Sequence, residues 1–168
     1  SNSIKWISEA SELARMNWWT AEYGLIGKID DPKIFGAGLL SSVIESFHCL
    51  SEKVEKIPYT IDSTKYDYDI TEPQPHLFVT KDFQRLSDVL ENFSNTMAYK
   101  TGGISGLKKA RIAGSVTTAV YDSGLQVSGI LKDYIINVDN ELCYLQYTGP
   151  VQLAYEDSEI TGHSKDYH

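Results

Sequence analysis

Arg15-Met16-Asn17-Trp18-Trp19-Thr20-Ala21-Glu22-Tyr23-Gly24-Leu25 places a single carboxylate, Glu22, among two tryptophans and a tyrosine. Periodicity assigns a helix to residues 8–25. Ser8 or Ser11 can cap it, Ala10, Leu13, Ala14, Trp18 and Ala21 share one face, and Gly24 is placed to end it. A carboxylate in an aromatic wall is costly to bury unless it is paired or binds a metal. Glu22 is therefore a candidate functional residue. Periodicity alone favours the plainer alternative, a solvated acid at the end of an amphipathic helix.

Outward from this helix, residues 25–38 read as a hairpin with a turn at Asp30-Asp31-Pro32, followed by Gly36 and Gly38. Leu39, Leu40, Val43, Ile44, Phe47 and Leu50 make an apolar stripe on a second helix over 39–52. Residues 53–64 look irregular. Tyr66-Asp67-Tyr68-Asp69-Ile70 and His76-Leu77-Phe78-Val79-Thr80 alternate like short strands on either side of Pro73-Gln74-Pro75. A third helix over 82–97 carries Phe83, Leu86, Val89, Leu90, Phe93 and Met97 at helical spacing, which reads as core.

Thr101-Gly102-Gly103-Ile104-Ser105-Gly106 breaks the composition and is the candidate linker. Leu107-Lys108-Lys109 after it do not meet phosphate-loop spacing. From Ser115 the period becomes two, with turn signals at Asp122-Ser123-Gly124, Asp139-Asn140 and Gly149-Pro150, so about five short strands are expected. The expected class is α+β. A mainly helical unit with short β-hairpins spans 3–100, a linker 101–109, a small β-meander or barrel 110–160, and a polar tail 161–168.

A net charge of −8 excludes the basic surface that non-specific nucleic-acid binding and anionic membranes require. No apolar run reaches the length of a membrane span, and the N-terminus has no signal-peptide pattern. Ser1-Asn2 reads as the remnant of a cleaved tag on a chain cut from something longer. Cys49 and Cys143 have neither disulfide nor zinc spacing, and free thiols fit the cytoplasm. The Asn92-Phe93-Ser94 sequon falls in an expected helix.

Other constellations are weaker. Glu45 and His48 have the Glu-x-x-His spacing of di-iron bundles, without a second copy. His76 reads as a satisfied strand histidine, and His163 and His168 as tail residues.

Trp18-Trp19-Thr20-Ala21-Glu22-Tyr23-Gly24-Leu25 followed by Phe35-Gly36-Ala37-Gly38-Leu39-Leu40-Ser41-Ser42 resembles the C-terminal part of the catalytic domain of the aromatic amino acid hydroxylases. The resemblance continues through Cys49-Leu50-Ser51 and Tyr68-Asp69-Ile70-Thr71-Glu72-Pro73-Gln74-Pro75 into Phe78-Val79, covering about residues 13–97. It implies a non-heme Fe(II) held by two histidines and one glutamate, with a tetrahydrobiopterin cosubstrate. The implied reaction uses O2 to hydroxylate an aromatic amino acid, most directly phenylalanine to tyrosine.

By the same resemblance, Glu22 is the carboxylate ligand. Trp18 and Tyr23 border the substrate ring, and Gly38 and Ser41 lie near its amino-acid end. Glu45 supports the site from behind, and Tyr68 faces the cavity. The resemblance puts the His-x4-His ligands, the pterin segment and a carboxylate-gripping arginine upstream, whereas only 21 residues precede Glu22 and none is histidine. Asn17 stands where the family has tyrosine, and the family's tetramerisation helix is not recognisable after Met97. The expectation is a piece of a hydroxylase that binds neither iron nor pterin by itself, does not hydroxylate phenylalanine, and associates into homo-oligomers through apolar surface. The rival reading is a non-catalytic binding or regulatory module on the same scaffold.

Overall fold

Ser8 starts the first helix as its spacing predicts, its hydroxyl accepting from the Ser11 amide at 3.1 Å. In the computed structural model, which describes residues 7–162, α1 spans Glu9–Asn17. Glu9 and Glu12 in its first turn and Arg15 in its last oppose the helix dipole favourably. The helix does not continue to residue 25 in α form. Trp18–Glu22 is a π-helical turn, in which Tyr23 N–H donates to the Trp18 carbonyl at 2.8 Å. Thr20 contributes to the widening. Its hydroxyl donates at 2.7 Å to the Met16 carbonyl, the acceptor an α-helix reserves for the Thr20 amide.

Gly24 ends this helix for a steric reason. A Cβ there would lie 2.3 Å from the Phe35 ring and 2.4 Å from the Thr20 carbonyl. The chain then forms the expected hairpin, β1 (Leu25–Lys28) against β2 (Asp31–Ile34). The turn is shorter than expected, because Asp31 and Pro32 already belong to β2. Pro32 is tolerated there since β2 is an edge strand.

The residues expected to be irregular hold a further strand, β3 (Glu55–Pro58), which pairs in parallel with β4 (His76–Thr80). β4 also pairs in parallel with β1, giving the sheet order β2-β1-β4-β3. β3 shows no alternation because its middle residues are both half-buried and its ends exposed, so no period of two marks it. β4 is buried along most of its length, as a central strand should be.

The helix expected over 39–52 is two short ones. α2 (Ala37–Ser41) and α3 (Val43–His48) meet at Ser42, which is extended (φ −122°, ψ 120°) and whose hydroxyl accepts from the Glu45 amide. The expected apolar stripe is therefore mostly not core. Leu39 and Cys49 are buried, but Leu40, Val43, Ile44, Phe47 and Leu50 are exposed. Residues 66–70, expected as a strand, follow a 3-10 turn (Ile61–Lys65) as a loop. α4 (Phe83–Ser94) begins at Asp82, which caps the Arg85 amide, and buries Val89 and Phe93. The core of this unit includes Met16, Trp19, Leu25, Leu39, Leu77, Phe78, Val89 and Phe93.

The chain divides into two compact units, Ser1–Thr96 and Met97–His168. The stretch 101–109, expected as a linker, is instead mostly helical: α5 (Ala98–Thr101) and α6 (Gly103–Ala113) meet at Gly102, with φ 53°. Gly114 ends α6 in the left-handed conformation. The second unit then forms a meander, β5 (Val116–Val120), β6 (Leu125–Ile136), β7 (Leu142–Tyr155) and β8 (Ser158–Glu159), in the order β5-β6-β7-β8.

Five short strands were expected; two of the four are long and carry register shifts that curl the sheet into a half-barrel. Gly149-Pro150 lies within β7 and is not a turn. The fold class is α+β. No helix of the described residues is long and apolar enough to cross a membrane. Ser1, Asn2, His163 and His168 lie outside the described residues.

Candidate functional site

In an α-helix two residues five apart point about 140° away from each other. The π turn narrows that angle and lets Trp18 stack on Tyr23, with ring centroids 4.6 Å apart and planes at 17°. Tyr68 stacks on Trp18 from the loop after the 3-10 turn, at 4.3 Å and 11°. Trp18 is sandwiched between the two tyrosines, and its Nε1 is buried without a hydrogen-bond partner. Beneath the stack Trp19 is fully buried, donates to the Tyr66 carbonyl at 3.2 Å and packs on His76 and Phe78.

The loop that carries Tyr68 is fixed by side chains. Arg15 donates to the Thr64 carbonyl at 2.8 Å and forms an ion pair with Asp67. Gln74, buried, donates to the Asp69 and Glu72 carbonyls. Asp69 accepts from the Thr71 hydroxyl at 2.6 Å and, second, from its amide at 2.7 Å, which hold its carboxyl below the usual carboxylate range. These bonds replace the ladder a strand would have needed. Arg15 and Gln74 were not singled out by the sequence reading. The signal available for Gln74 was its position between two prolines, where an amide side chain can bond local carbonyls.

Glu22 is half-buried at the end of the π turn. Two glycines make room for it. A Cβ on Gly36 would come within 2.5 Å of the Glu22 carbonyl. One on Gly38 would lie 3.0 Å from that carbonyl, 3.0 Å from Tyr23 Cε2 and 3.3 Å from Glu22 Oε2. Gly38 thus borders both the Glu22 carboxylate and the Tyr23 ring. Ser41, one turn on, donates its hydroxyl to the Gly38 carbonyl at 2.8 Å.

Glu45 approaches from α3. Burial first, then the charges of Glu45 and Glu22, raise the Tyr23 hydroxyl above the usual phenol range. Burial also pushes the Cys49 thiol up; Lys56 opposes that shift and Glu45 adds to it. Of the seven residues singled out from the sequence, Tyr68 stacks on Trp18, Trp18 on Tyr23, Gly38 lies against Tyr23 and Glu22, and Ser41 bonds Gly38, while Glu45 acts on Tyr23 through its charge. His48 joins no such cluster, and no group of three or more histidine, cysteine, aspartate or glutamate side chains able to hold a metal occurs among the described residues. Glu22 is a suitable hard oxygen donor for Fe(II), but it is one donor where a facial triad needs three. The described residues by themselves do not make that centre.

The family model of the biopterin-dependent aromatic amino acid hydroxylases matches residues 7–102. The phenylalanine-4-hydroxylase of Homo sapiens is 39% identical over 87 residues, which are 51% of this chain and 19% of that protein. The tyrosine 3-monooxygenase of Rattus norvegicus is 35% identical over 88 residues, 52% of this chain and 18% of that protein. The chain thus spans about a fifth of the length of these relatives. Among solved structures, the phenylalanine hydroxylase of Legionella pneumophila aligns with a TM-score of 0.47 and 32% identity, over 52% of this chain and 39% of that one. The family match takes in more than half of the chain and all seven residues of the site, and the chain belongs to the biopterin-dependent aromatic amino acid hydroxylase family.

Proposed function

We propose that residues 7–102 form the C-terminal part of a hydroxylase catalytic domain that converts phenylalanine to tyrosine, and that Glu22 is its carboxylate iron ligand. The observation that supports this most is the placement of Glu22 Oε2 beside Gly38 and Tyr23, where a missing side chain leaves the carboxylate approachable. When bound, Fe(II) and tetrahydrobiopterin supply the O2 chemistry that adds a hydroxyl to the aromatic ring. The chain's own residues shape the substrate's side of the site. The Tyr23-Trp18-Tyr68 stack offers a flat apolar wall that orients a planar ring and excludes water. Ser41 and Gly38 serve the amino-acid end. Burial first, and the Glu45 charge second, raise the Tyr23 hydroxyl above its ordinary range, so this tyrosine stays neutral at the wall.

Two histidine ligands and the pterin-binding residues come, in this reading, from sequence outside this chain. The exposed apolar face of α2 and α3 is the surface that the remainder of the domain covers. The 168-residue chain by itself then binds Fe(II) weakly and does not hydroxylate phenylalanine. Anaerobic Fe(II) titration of the purified chain tests this. The expected result is no stoichiometric binding at micromolar metal; one tightly held iron per chain would overturn the reading.

A further inference from the structure

Strand β5 reads Val116-Thr117-Thr118-Ala119-Val120, without charge, proline or glycine, and it is an edge of the second unit's sheet. Exposed edges ordinarily carry such features, because bare backbone groups template pairing with another chain. The opposite edge of the same sheet has them. β8 is two residues long and ends in Glu159, and the part of β7 it leaves uncovered contains Gly149-Pro150. One edge is protected and the other is not.

The β5–β6 hairpin fixes which backbone groups are free. Tyr121 N–H donates to the Leu125 carbonyl at 2.9 Å. By the alternation of antiparallel ladders, Thr117 and Ala119 direct their backbone groups at β6, and Val116, Thr118 and Val120 direct theirs outward. Among the described residues no strand pairs with that outward row. Val116 and Val120 are 68% and 66% exposed.

We propose that β5 pairs antiparallel with β5 of a second copy of this chain, across a twofold axis at Thr118, joining two four-stranded sheets edge to edge. The strand is complementary to itself in this register. Thr118 faces its own copy, Val116 faces Val120, and Thr117 faces Ala119. The three outward residues each enter a narrow pair that exchanges two hydrogen bonds. The same-face neighbours are valine on valine and threonine on threonine, pairs that stabilise sheets. No charges meet: continuing the register sets Asp122 opposite Gly114 and not opposite another acid. This matters for a chain of net charge −8, whose copies repel one another elsewhere. A twofold contact requires one patch to fit itself, and this neutral, near-palindromic strand does so; that selects a second copy over an unrelated extended peptide.

The test is sedimentation of the full 168-residue chain together with hydrogen exchange. Thr118→Pro removes an outward N–H and the 2.8 Å hydroxyl contact with Ser128, and leaves the backbone ladder between β5 and β6 intact. Thr118→Lys sets two ammonium groups opposite each other. The wild type is expected as a dimer of twice 18.8 kDa, with slow exchange at the amides of Val116, Thr118 and Val120 that quickens on dilution. Both variants are expected to weaken dimerisation about tenfold or more, with far-UV circular dichroism unchanged. Ile44→Lys, in the other unit, is expected to leave this dimer intact. Three results would each overturn the proposal: a monomeric wild type at high micromolar concentration, a dimer indifferent to Thr118→Lys, or rapid exchange at the three outward amides. Concentration-independent protection of those amides in a monomer would assign the edge to a different strand and would equally overturn it. Should Thr118→Pro fail to fold, Thr118→Lys and the wild-type exchange decide.

Discussion

His76 sits among Trp19, Tyr66 and Phe78, at ring-centroid distances of 5.0, 4.9 and 5.8 Å, with Nε2 buried and unpartnered. Burial lowers its pKa below the ordinary 6.5, against a smaller opposing effect of the Glu55 carboxylate. The unfolded chain therefore binds this proton at a pH where the folded chain does not, and stability falls as pH drops below 6.5. His76→Leu removes the buried nitrogen. Urea titrations at pH 7 and pH 5 should show the variant losing less stability on acidification than the wild type; equal losses would contradict the assignment. The sequence showed His76 only as a strand histidine, because the ring that covers it from Tyr66 comes from a loop misread as a strand. Glu22 stood out as a carboxylate between aromatic residues, but periodicity favoured a solvated acid there, and its reading as a metal ligand rests on the resemblance.

At the level of elements, Gly36 is a tight joint between backbone segments. It leads from the β1–β2 hairpin into α2, and a Cβ would press on the Glu22 carbonyl at 2.5 Å, against backbone that cannot rotate away. Gly36→Ala should cost about 1–3 kcal/mol, read as a lower midpoint in chemical denaturation. It should also disturb the near-ultraviolet circular dichroism of the Trp18 stack. A stability within about 0.5 kcal/mol of wild type would show that α2 shifts freely. Helical spacing located α1, α4 and the approximate span of α2 and α3. It could not show the π turn, because one extra residue in a turn leaves the apolar pattern nearly unchanged while re-aiming Trp18, Glu22 and Tyr23. The break at Ser42 and the parallel strand β3 were hidden for related reasons. Serine is neutral inside a helix until it caps the next one, and β3 has no alternating pattern.

For the whole molecule, the apolar stripe read from residues 39–50 was real as a pattern, but its meaning differed. The fold leaves Leu40, Val43, Ile44 and Phe47 facing solvent, with Ile44 82% and Phe47 78% exposed. In the proposed account this face belongs against the remainder of a catalytic domain. Ile44→Lys with Phe47→Lys should then make the 168-residue chain more soluble, and should lower iron content and activity when placed in the complete hydroxylase. Unchanged activity there would show that the face has another use.

Glu22, as proposed, is an iron ligand of a site completed outside this chain. The most direct measurement is the iron stoichiometry and tetrahydrobiopterin-dependent phenylalanine hydroxylation of the complete hydroxylase carrying Glu22→Gln, which keeps the shape of the side chain and removes its charge. About one iron per chain is expected in the wild type. In the variant, iron affinity should fall by on the order of 100-fold or more, together with loss of turnover. A variant that keeps its iron and hydroxylates phenylalanine at the wild-type rate would contradict it.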